Sequence, residues 1–220
     1  PIDLSRRSLV RIFAEGRFDR GGRFYRGWWQ NVPSEYRKYI TIDGKRTNEY
    51  DYSQLNPHMV YFLREKELGS EDAYDRVFDG EHRDLVKQAF NAMIQSSTPL
   101  LQEPEDIDLS EVGFDWPYLR QAVLDAHKPI ADMFFQGHGN HLQYIDSVMA
   151  EDIMLKFVKS DLAPVLPVHD SFIMHYAYGE LGELEEDMRR AFHGHFKKDI
   201  KVSEEIGVML PSSFDGKDSD

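Results

Sequence analysis

Two aspartates combine a predicted strand-end position with polar neighbours. Asp51 is the second-last residue of the stretch YITIDGKRTNEYDY, and Asp170 lies near the middle of VLPVHDSFIMHYAY. Two carboxylates on adjacent strands can bind two divalent ions about 4 Å apart, the arrangement that holds the attacking and leaving oxygens in phosphoryl transfer. A single aspartate on a strand is more often a turn or cap residue. The sequence around the pair therefore decides between the two interpretations.

A second set of polar residues recurs at every fourth position, at Arg83, Lys87, Asn91 and Gln95. On the helix predicted over 80–95, this spacing puts two cations and two amides on one stripe. A forked guanidinium and a compact ammonium suit a triphosphate, although an ordinary solvated stripe has the same spacing. Another face carries the residues predicted to pack inside: Leu85, Val86, Ala89 and Met93.

The elements that must position these residues are predicted from hydrophobic period and turn residues. A hairpin over 39–52 turns at Asp43-Gly44 and delivers Asp51 on its second strand. Asn56-Pro57 is predicted to open the next helix as its N-cap and first residue. Asp170 is predicted at the turn of a later strand pair. The remaining predicted elements are helices over 4–16, about 117–135, 142–160 and 180–197, a loop at 137–140, and a short strand within 201–210.

Strands separated by inserted helices predict an α+β domain with an antiparallel sheet. Trp28 and Trp29 are predicted to belong to its core, since large aromatic side chains are more often buried than used as nucleic-acid contacts.

Composition limits the kind of site. The 220 residues include no cysteine, which excludes disulfides, thiolate zinc sites and cysteine nucleophiles and favours hard cations such as Mg²⁺. No apolar run reaches the roughly 20 residues of a membrane helix, and the N-terminus has no signal-peptide core. We therefore expect a soluble, cytoplasmic protein. Because the chain begins at Pro1, we also expect a fragment or trimmed form, with a possible upstream domain.

Charge is distributed unevenly along the chain. The net charge is −13, which argues against a nucleic-acid partner. Residues 1–50, however, hold eleven Lys and Arg against six acids, whereas the rest of the chain holds 15 against 33. This asymmetry is compatible with a basic groove on an acidic surface, and equally with a solvated basic N-terminus.

Two short motifs match a known family. Asp51-Tyr52-Ser53-Gln54-Leu55 closely resembles motif A of family A DNA polymerases, DYSQIE, and Val168-His169-Asp170-Ser171 resembles their motif C, VHDE. Between them, Arg83-x-x-x-Lys87 resembles the start of motif B on the fingers helix. The three motifs occur in the order found in the family.

Two further segments extend the resemblance over about residues 20–210. Gly22-Arg23 followed by Gln30-Asn31-Val32-Pro33 resembles the GR…LQNIP segment, which lies along the primer–template minor groove in the family. The segment VSEEIG, at 202–207, falls where the family has its last palm strand. Four motifs in the correct order are a strong signal, because any one of them is common by chance.

The resemblance implies a right-hand polymerase palm, an antiparallel sheet with flanking helices, plus shortened helical fingers. Catalysis and metal binding would rest on Asp51, Asp170 and the backbone carbonyl of Tyr52, with two Mg²⁺ ions or substituting Mn²⁺. The expected partners are a primer–template nucleic acid and dNTPs or NTPs, with an upstream domain or partner protein for processivity. Nucleotide-binding residues would be Arg83, Lys87, Asn91, Gln95 and Asn56. Nucleic-acid-binding residues would be Arg23, Gln30, Asn31 and His169.

The same resemblance divides the chain into five parts. Residues 1–50 would form a basic helix and a primer–template segment, and 51–79 the motif A region of the palm. Residues 80–135 would be shortened fingers, 136–210 the palm with motif C, and 211–220 a disordered tail. Asp170 follows Asp51 by 119 positions, a short span for full fingers, and only 50 residues precede Asp51, so we expect no exonuclease or complete thumb.

Several positions depart from the family pattern. Asn56 replaces a glutamate that excludes a 2′-hydroxyl, and Asn91 and Gln95 replace aromatic residues that assist it. Ser171 replaces the glutamate of motif C, and His-Asp-Ser-Phe is the form found in single-subunit phage-type RNA polymerases. The segment 143–147 is also nearer to those enzymes. These departures leave the choice of sugar open.

Three functions are compatible with these residues. The leading one is template-directed addition of nucleotides to a primer, with deoxynucleotides favoured because motif A is closer to the DNA enzymes. An RNA-synthesising, primase-like or template-independent nucleotidyltransferase is the alternative among enzymes. A catalytically silent nucleic-acid-binding palm is the alternative outside them, and the retention of two mutually repelling carboxylates argues against it.

Overall fold

The computed structural model describes residues 3–160, 163–177 and 182–209. Within these ranges the strands are β1 (Val10–Phe13), β2 (Gly21–Tyr25), β3 (Thr41–Ile42), β4 (Lys45–Tyr52), β5 (Val165–Val168), β6 (Ser171–His175) and β7 (Val202–Ile206). The α-helices are α1 (Ser34–Arg37), α2 (Leu55–Leu63), α3 (Asp75–Phe78), α4 (Arg83–Gln95), α5 (Trp116–Ala126), α6 (Gly139–Ser160) and α7 (Glu183–Phe196). Two 3-10 helices span Trp28–Asn31 and Lys128–Met133.

The chain divides into two compact units. The sheet unit takes its described residues from 3–12, 23–53 and 146–209, and contains β3 to β7 with α1 and α7. The helical unit takes 13–22 and 54–145, and contains α2 to α5. Helix α6 and the two-stranded sheet of β1 and β2 have residues in both. No helix in the described ranges is long and apolar enough to cross a membrane.

Strand β4 is the centre of the five-stranded sheet. It pairs antiparallel with β3, β6 and β7, and β6 pairs antiparallel with β5. The predicted α+β fold with an antiparallel sheet and flanking helices is confirmed. The predicted last strand is also confirmed, and it lies against β4, the strand that carries Asp51.

The predicted hairpin at Asp43-Gly44 is confirmed. The two residues have φ of 52° and 71°, and Ile42 pairs with Lys45 across them. Positive φ at both central residues defines a turn whose twist matches that of the flanking strands, and glycine and aspartate tolerate this conformation. The local sequence therefore sets the register that ends at Asp51.

Two apolar clusters stabilise the sheet unit. One contains Trp29, Ile40, Val168 and Ile173, and the indole Nε1 of Trp29 donates a hydrogen bond to the Pro167 carbonyl at 2.9 Å. The core position predicted for Trp29 is thus confirmed, and the half-buried Trp28 packs against the same cluster.

The other cluster joins β4 to α7. Tyr52 packs on Phe192 with ring centroids 6.2 Å apart, and the Tyr52 hydroxyl donates to the Met188 carbonyl at 2.6 Å. Both rings are buried, so truncating Phe192 to alanine would cost about 3–5 kcal/mol. This packing fixes the end of β4 next to motif A.

The helical unit has its own core around Phe90 of α4, a fully buried residue. Its ring makes edge contacts with Tyr74, His127 and Phe134 at centroid distances of 5.0–5.8 Å. The packing predicted for Val86, Ala89 and Met93 is confirmed, whereas Leu85 is half-buried.

The helix predicted over 4–16 is wrong, because this segment contains β1. Val10 and Ile12 are β-branched, which favours a strand, and burial alternates along the segment, with Val10 and Ile12 exposed and Arg11 and Phe13 half-buried. Beyond the strand, the Ala14 amide donates to the Arg20 carbonyl at 2.9 Å. Pairing with β2 therefore outweighs the weak helical spacing of the sequence and makes this segment a strand.

Three predicted helix boundaries differ from the structure. Helix α2 begins at Leu55 and is capped by Gln54, which has φ 55°, so the predicted Asn56-Pro57 cap is wrong and Asn56 lies in the first turn. The side-chain Oε1 of Gln54 accepts a hydrogen bond from the Ala73 amide at 2.6 Å. The helix predicted over 117–135 ends at Ala126, and α6 begins at Gly139, inside the predicted loop. The predicted tail lies outside the described residues.

Candidate active site at the end of strand β4

The sheet places Asp51 and Asp170 on neighbouring strands. Asp51 pairs with Ser171, the residue that follows Asp170, and the Tyr52 amide donates to the Asp170 carbonyl at 3.5 Å. On the other side of β4, Asp51 pairs with Ser203. Two motifs that are 119 residues apart in sequence thus meet at one end of the sheet.

Asp170 lies in the two-residue turn between β5 and β6. Val168 pairs with Ser171 across His169 and Asp170, and His169 has φ 56°. Asp170 is half-buried and Asp51 is exposed. The tight turn therefore places Asp170 at the end of the sheet where β4 carries the exposed Asp51.

The oxygen donors at this end of the sheet match part of the coordination shell of a metal ion. In the described ranges, no three His, Asp or Glu side chains are grouped so as to hold a metal ion by themselves. Two carboxylates and the Tyr52 carbonyl are oxygen donors, and Mg²⁺ commonly keeps water or takes substrate oxygens for its remaining positions. The chemistry of the donor set thus fits Mg²⁺ when substrate phosphate completes the shell.

A hydrogen-bonded network lies beside Asp51 and Asp170 in the sheet. The Ser171 hydroxyl donates to Oε1 of Glu49 at 2.6 Å, and Arg37 donates to both Glu49 oxygens at 2.9 Å. Glu49 lies two residues before Asp51 on the same face of β4. Sequence reasoning missed this network, because nothing in the local sequence relates Glu49 to Ser171.

Asp146 is a second residue that sequence reasoning left out of the site. It is 1% exposed on α6, and Nε of Arg23 donates to its Oδ2 at 2.6 Å. Burial raises the pKa of Asp146 to about 7; the Arg23 charge opposes this shift and the Asp170 charge adds to it. The signal available in the sequence was an acid at an apolar position of a helix.

The residues predicted to bind nucleic acid all belong to the sheet unit, but they differ in availability. Asn31 and His169 are exposed. The Gln30 amide is engaged with backbone: its Nε2 donates to the carbonyls of Phe24 and Pro167, and its Oε1 accepts from Gly27. Gln30 therefore holds its own segment in place.

The residues predicted to bind the nucleotide belong to the helical unit. Arg83 donates to Asp72 at 2.7 Å, and this hydrogen bond raises the pKa of Arg83. Lys87 and Gln95 are exposed on the same helix. A triphosphate would have to replace Asp72 as the partner of Arg83.

Two of the three amides among the predicted nucleotide-binding residues contact each other. Nδ2 of Asn56 donates to Oδ1 of Asn91 at 2.9 Å, joining α2 to α4. This hydrogen bond does not use Oδ1 of Asn56 or Nδ2 of Asn91, since an amide has both donors and an acceptor.

Comparisons with known proteins identify a structural relative only. No protein-family model matches the sequence, and no curated protein matches it. The structure is similar to a solved structure described as the POL domain of Pol1 from M. smegmatis in complex with DNA primer-template and dNTP. The TM-score is 0.54 at 16% sequence identity, over 86% of this chain and 45% of that chain. The present chain thus spans less than half of its relative, and it has the fold of a polymerase domain.

Proposed function

We propose that this chain is a nucleotidyltransferase that adds nucleotides to a primer 3′ end on a nucleic-acid template. The single observation that carries the proposal is the register that puts Asp51 beside the Asp170 turn. The fold supports it, because the similar POL domain was solved with primer-template and dNTP.

Two groups of residues would carry out separate parts of the reaction. Asp51, Asp170 and the Tyr52 carbonyl would hold two Mg²⁺ ions, which supply alignment and charge neutralisation of the oxygens exchanged at phosphorus. Arg83 and Lys87 would bind the triphosphate as a fork and a point charge. Two ionised carboxylates with no cation between them would repel each other and destabilise this end of the sheet. Cation binding would remove that repulsion.

Deoxynucleotides are the favoured substrates because motif A is closest to that of the DNA enzymes. One observation favours ribonucleotides as a second substrate. The Asn56–Asn91 pair offers amide groups where the family has a glutamate and a ring, and an amide can hydrogen-bond a 2′-hydroxyl.

Extension of a labelled primer on a template tests the proposal. Reactions with dNTPs and with NTPs are run separately, with Mg²⁺, Mn²⁺ or EDTA, on the parent and on Asp51→Asn, Asp170→Asn and Asp43→Asn. Asp43 lies in the turn at the other end of the same hairpin, so its variant is the matched control.

We expect metal-dependent extension by the parent, a loss of at least about a thousandfold in the two site variants, and a change below about twofold in the control. Melting temperatures of the site variants should equal or exceed that of the parent, because one of two repelling acids is removed. A parent without activity in either metal, or a site variant with parental activity, rejects the proposal.

A further inference from the structure

Asp146 is a buried acid that the proposed mechanism leaves without a task. Its charge lies in the sheet unit close enough to Asp170 for the two to repel. Burying a carboxylate is unfavourable unless a cation and hydrogen bonds compensate it, and a second acid nearby increases the cost. Arg23 provides both the charge and the hydrogen bond that favour the ionised form of Asp146. The geometry of the Arg23–Asp146 pair therefore indicates what Asp146 does.

Asp146 and Arg23 line a narrow recess under motif C. The recess is too narrow to admit a water molecule. The other residues that line it are Phe24, Ser147, Ala150, Pro167 and His169. His169 belongs to the turn that carries Asp170, so the ion pair lies next to that turn.

The hydrogen bond to Asp146 uses the Nε of Arg23 and not its Nη groups. Arg11 of β1 also contacts α6, but in a different way. Its Nη1 donates to Glu151 at 2.6 Å and its Nη2 donates to Ser147 at 2.9 Å. Arg11 thus uses the end of its fork to bind α6. Arg23 is bound through its inner nitrogen, which fixes the plane of the guanidinium and leaves the fork for another acceptor.

We propose that Asp146 is a positioning residue, which holds the Arg23 guanidinium beside the Asp170 turn so that its Nη groups bind the terminal nucleotide of the primer. The inference rests on the proposed function and adds the residue that orients Arg23. Asp146 itself does not touch the nucleic acid, and its effect passes entirely through Arg23.

A double-mutant cycle in primer extension tests this assignment. The variants are Asp146→Asn, Arg23→Gln and the double variant, with Glu151→Gln as the control that removes the neighbouring carboxylate paired with Arg11. Steady-state kinetics give kcat and separate KM values for primer–template and for nucleotide, and thermal melts report the fold.

Each single variant should lower kcat/KM for primer–template by about 10- to 100-fold, the effect of one hydrogen bond to a charged group. The double variant should be no worse than Arg23→Gln, because the two residues act as one unit. KM for nucleotide should stay within about twofold of the parent, as should all constants of Glu151→Gln. A general structural defect would instead change both KM values together.

Losses that multiply in the double variant, or parental kinetics in Asp146→Asn, would overturn the inference while leaving the proposed function intact. If Asp146→Asn does not fold, Arg23→Lys supplies the test, since it keeps a cation for Asp146 but lacks the fork. Its KM for primer–template should rise at an unchanged melting temperature, and a parental KM overturns the inference. A parent that extends no primer rejects this inference together with the proposed function.

Discussion

The proposed choice of sugar would depend on three amide side chains. Asn56 and Asn91 hydrogen-bond each other across two helices, and Gln95 lies one turn further along α4. A glutamate at position 56 would present a charge and two acceptors in place of one donor and one acceptor. In the proposal, the amides of Asn56 and Asn91 can hydrogen-bond a 2′-hydroxyl that a glutamate at position 56 would exclude.

We predict that Asn56→Glu shifts preference toward deoxynucleotides by about 5- to 150-fold, the range of one hydrogen bond gained or lost. The measurement is kcat/KM for a dNTP and its matching NTP in both proteins. Gln88→Leu serves as control, since Gln88 is exposed on α4 and is not among the predicted nucleotide-binding residues. A parent that already rejects NTPs by more than about ten-thousandfold would show that other residues select the sugar.

Three helices of the helical unit meet at His127. It follows α5 and is fully buried, its Nδ1 lies 3.0 Å from the hydroxyl of Tyr61 on α2, and its ring packs on Phe90 of α4. Burial, and next the charge of Arg76, lowers the pKa of His127 to about 4. The imidazole is therefore neutral in the folded protein at physiological pH.

This histidine predicts a pH dependence of stability with a defined window. Above pH about 6.5 neither state holds the proton. As the pH falls from there to about 4, the unfolded chain binds a proton that the folded chain excludes, so stability falls by up to about 3 kcal/mol. Denaturant unfolding of the parent and of His127→Phe from pH 8 to 4 measures it. The variant should lose this part of the slope, whereas a variant of the exposed His195, His195→Gln, should retain it.

An unchanged slope in His127→Phe would contradict the assignment. The same measurement separates His127 from the carboxylates, because the slope that remains in the variant belongs to other groups.

The sequence predicted elements well where local chemistry decides the conformation. Asp43-Gly44 specifies its turn, and the periodic apolar residues of α4 specify a helix. It failed where distant residues decide the conformation. Segment β1 is a strand because β2 pairs with it, and α2 begins after Gln54, whose side chain accepts a hydrogen bond from the distant Ala73 amide. The site follows the same rule. Motifs identified Asp51 and Asp170, while Glu49 and Asp146 required the contacts that folding creates.

At the scale of the whole molecule, the basic N-terminal segment is less available to nucleic acid than its charge suggests. Six of its eleven basic residues form ion pairs within the described residues. Arg23 does so through Nε and keeps its Nη groups for the proposed primer contact, and the other five are Arg6, Arg11, Arg17, Arg20 and Arg37. Grip on nucleic acid would then come from few cations, and the salt dependence of binding should be shallow for a polymerase.

The central claim is that Asp51 and Asp170 together hold the metal ions of nucleotide transfer. Anomalous diffraction from crystals grown with Mn²⁺, a primer–template and an unreactive nucleotide analogue tests it most directly. We predict two anomalous peaks about 3.5–4 Å apart, both within bonding distance of the Asp51 and Asp170 carboxylates. Peaks at other residues, or carboxylates more than about 10 Å apart with no ion between them, would contradict the account.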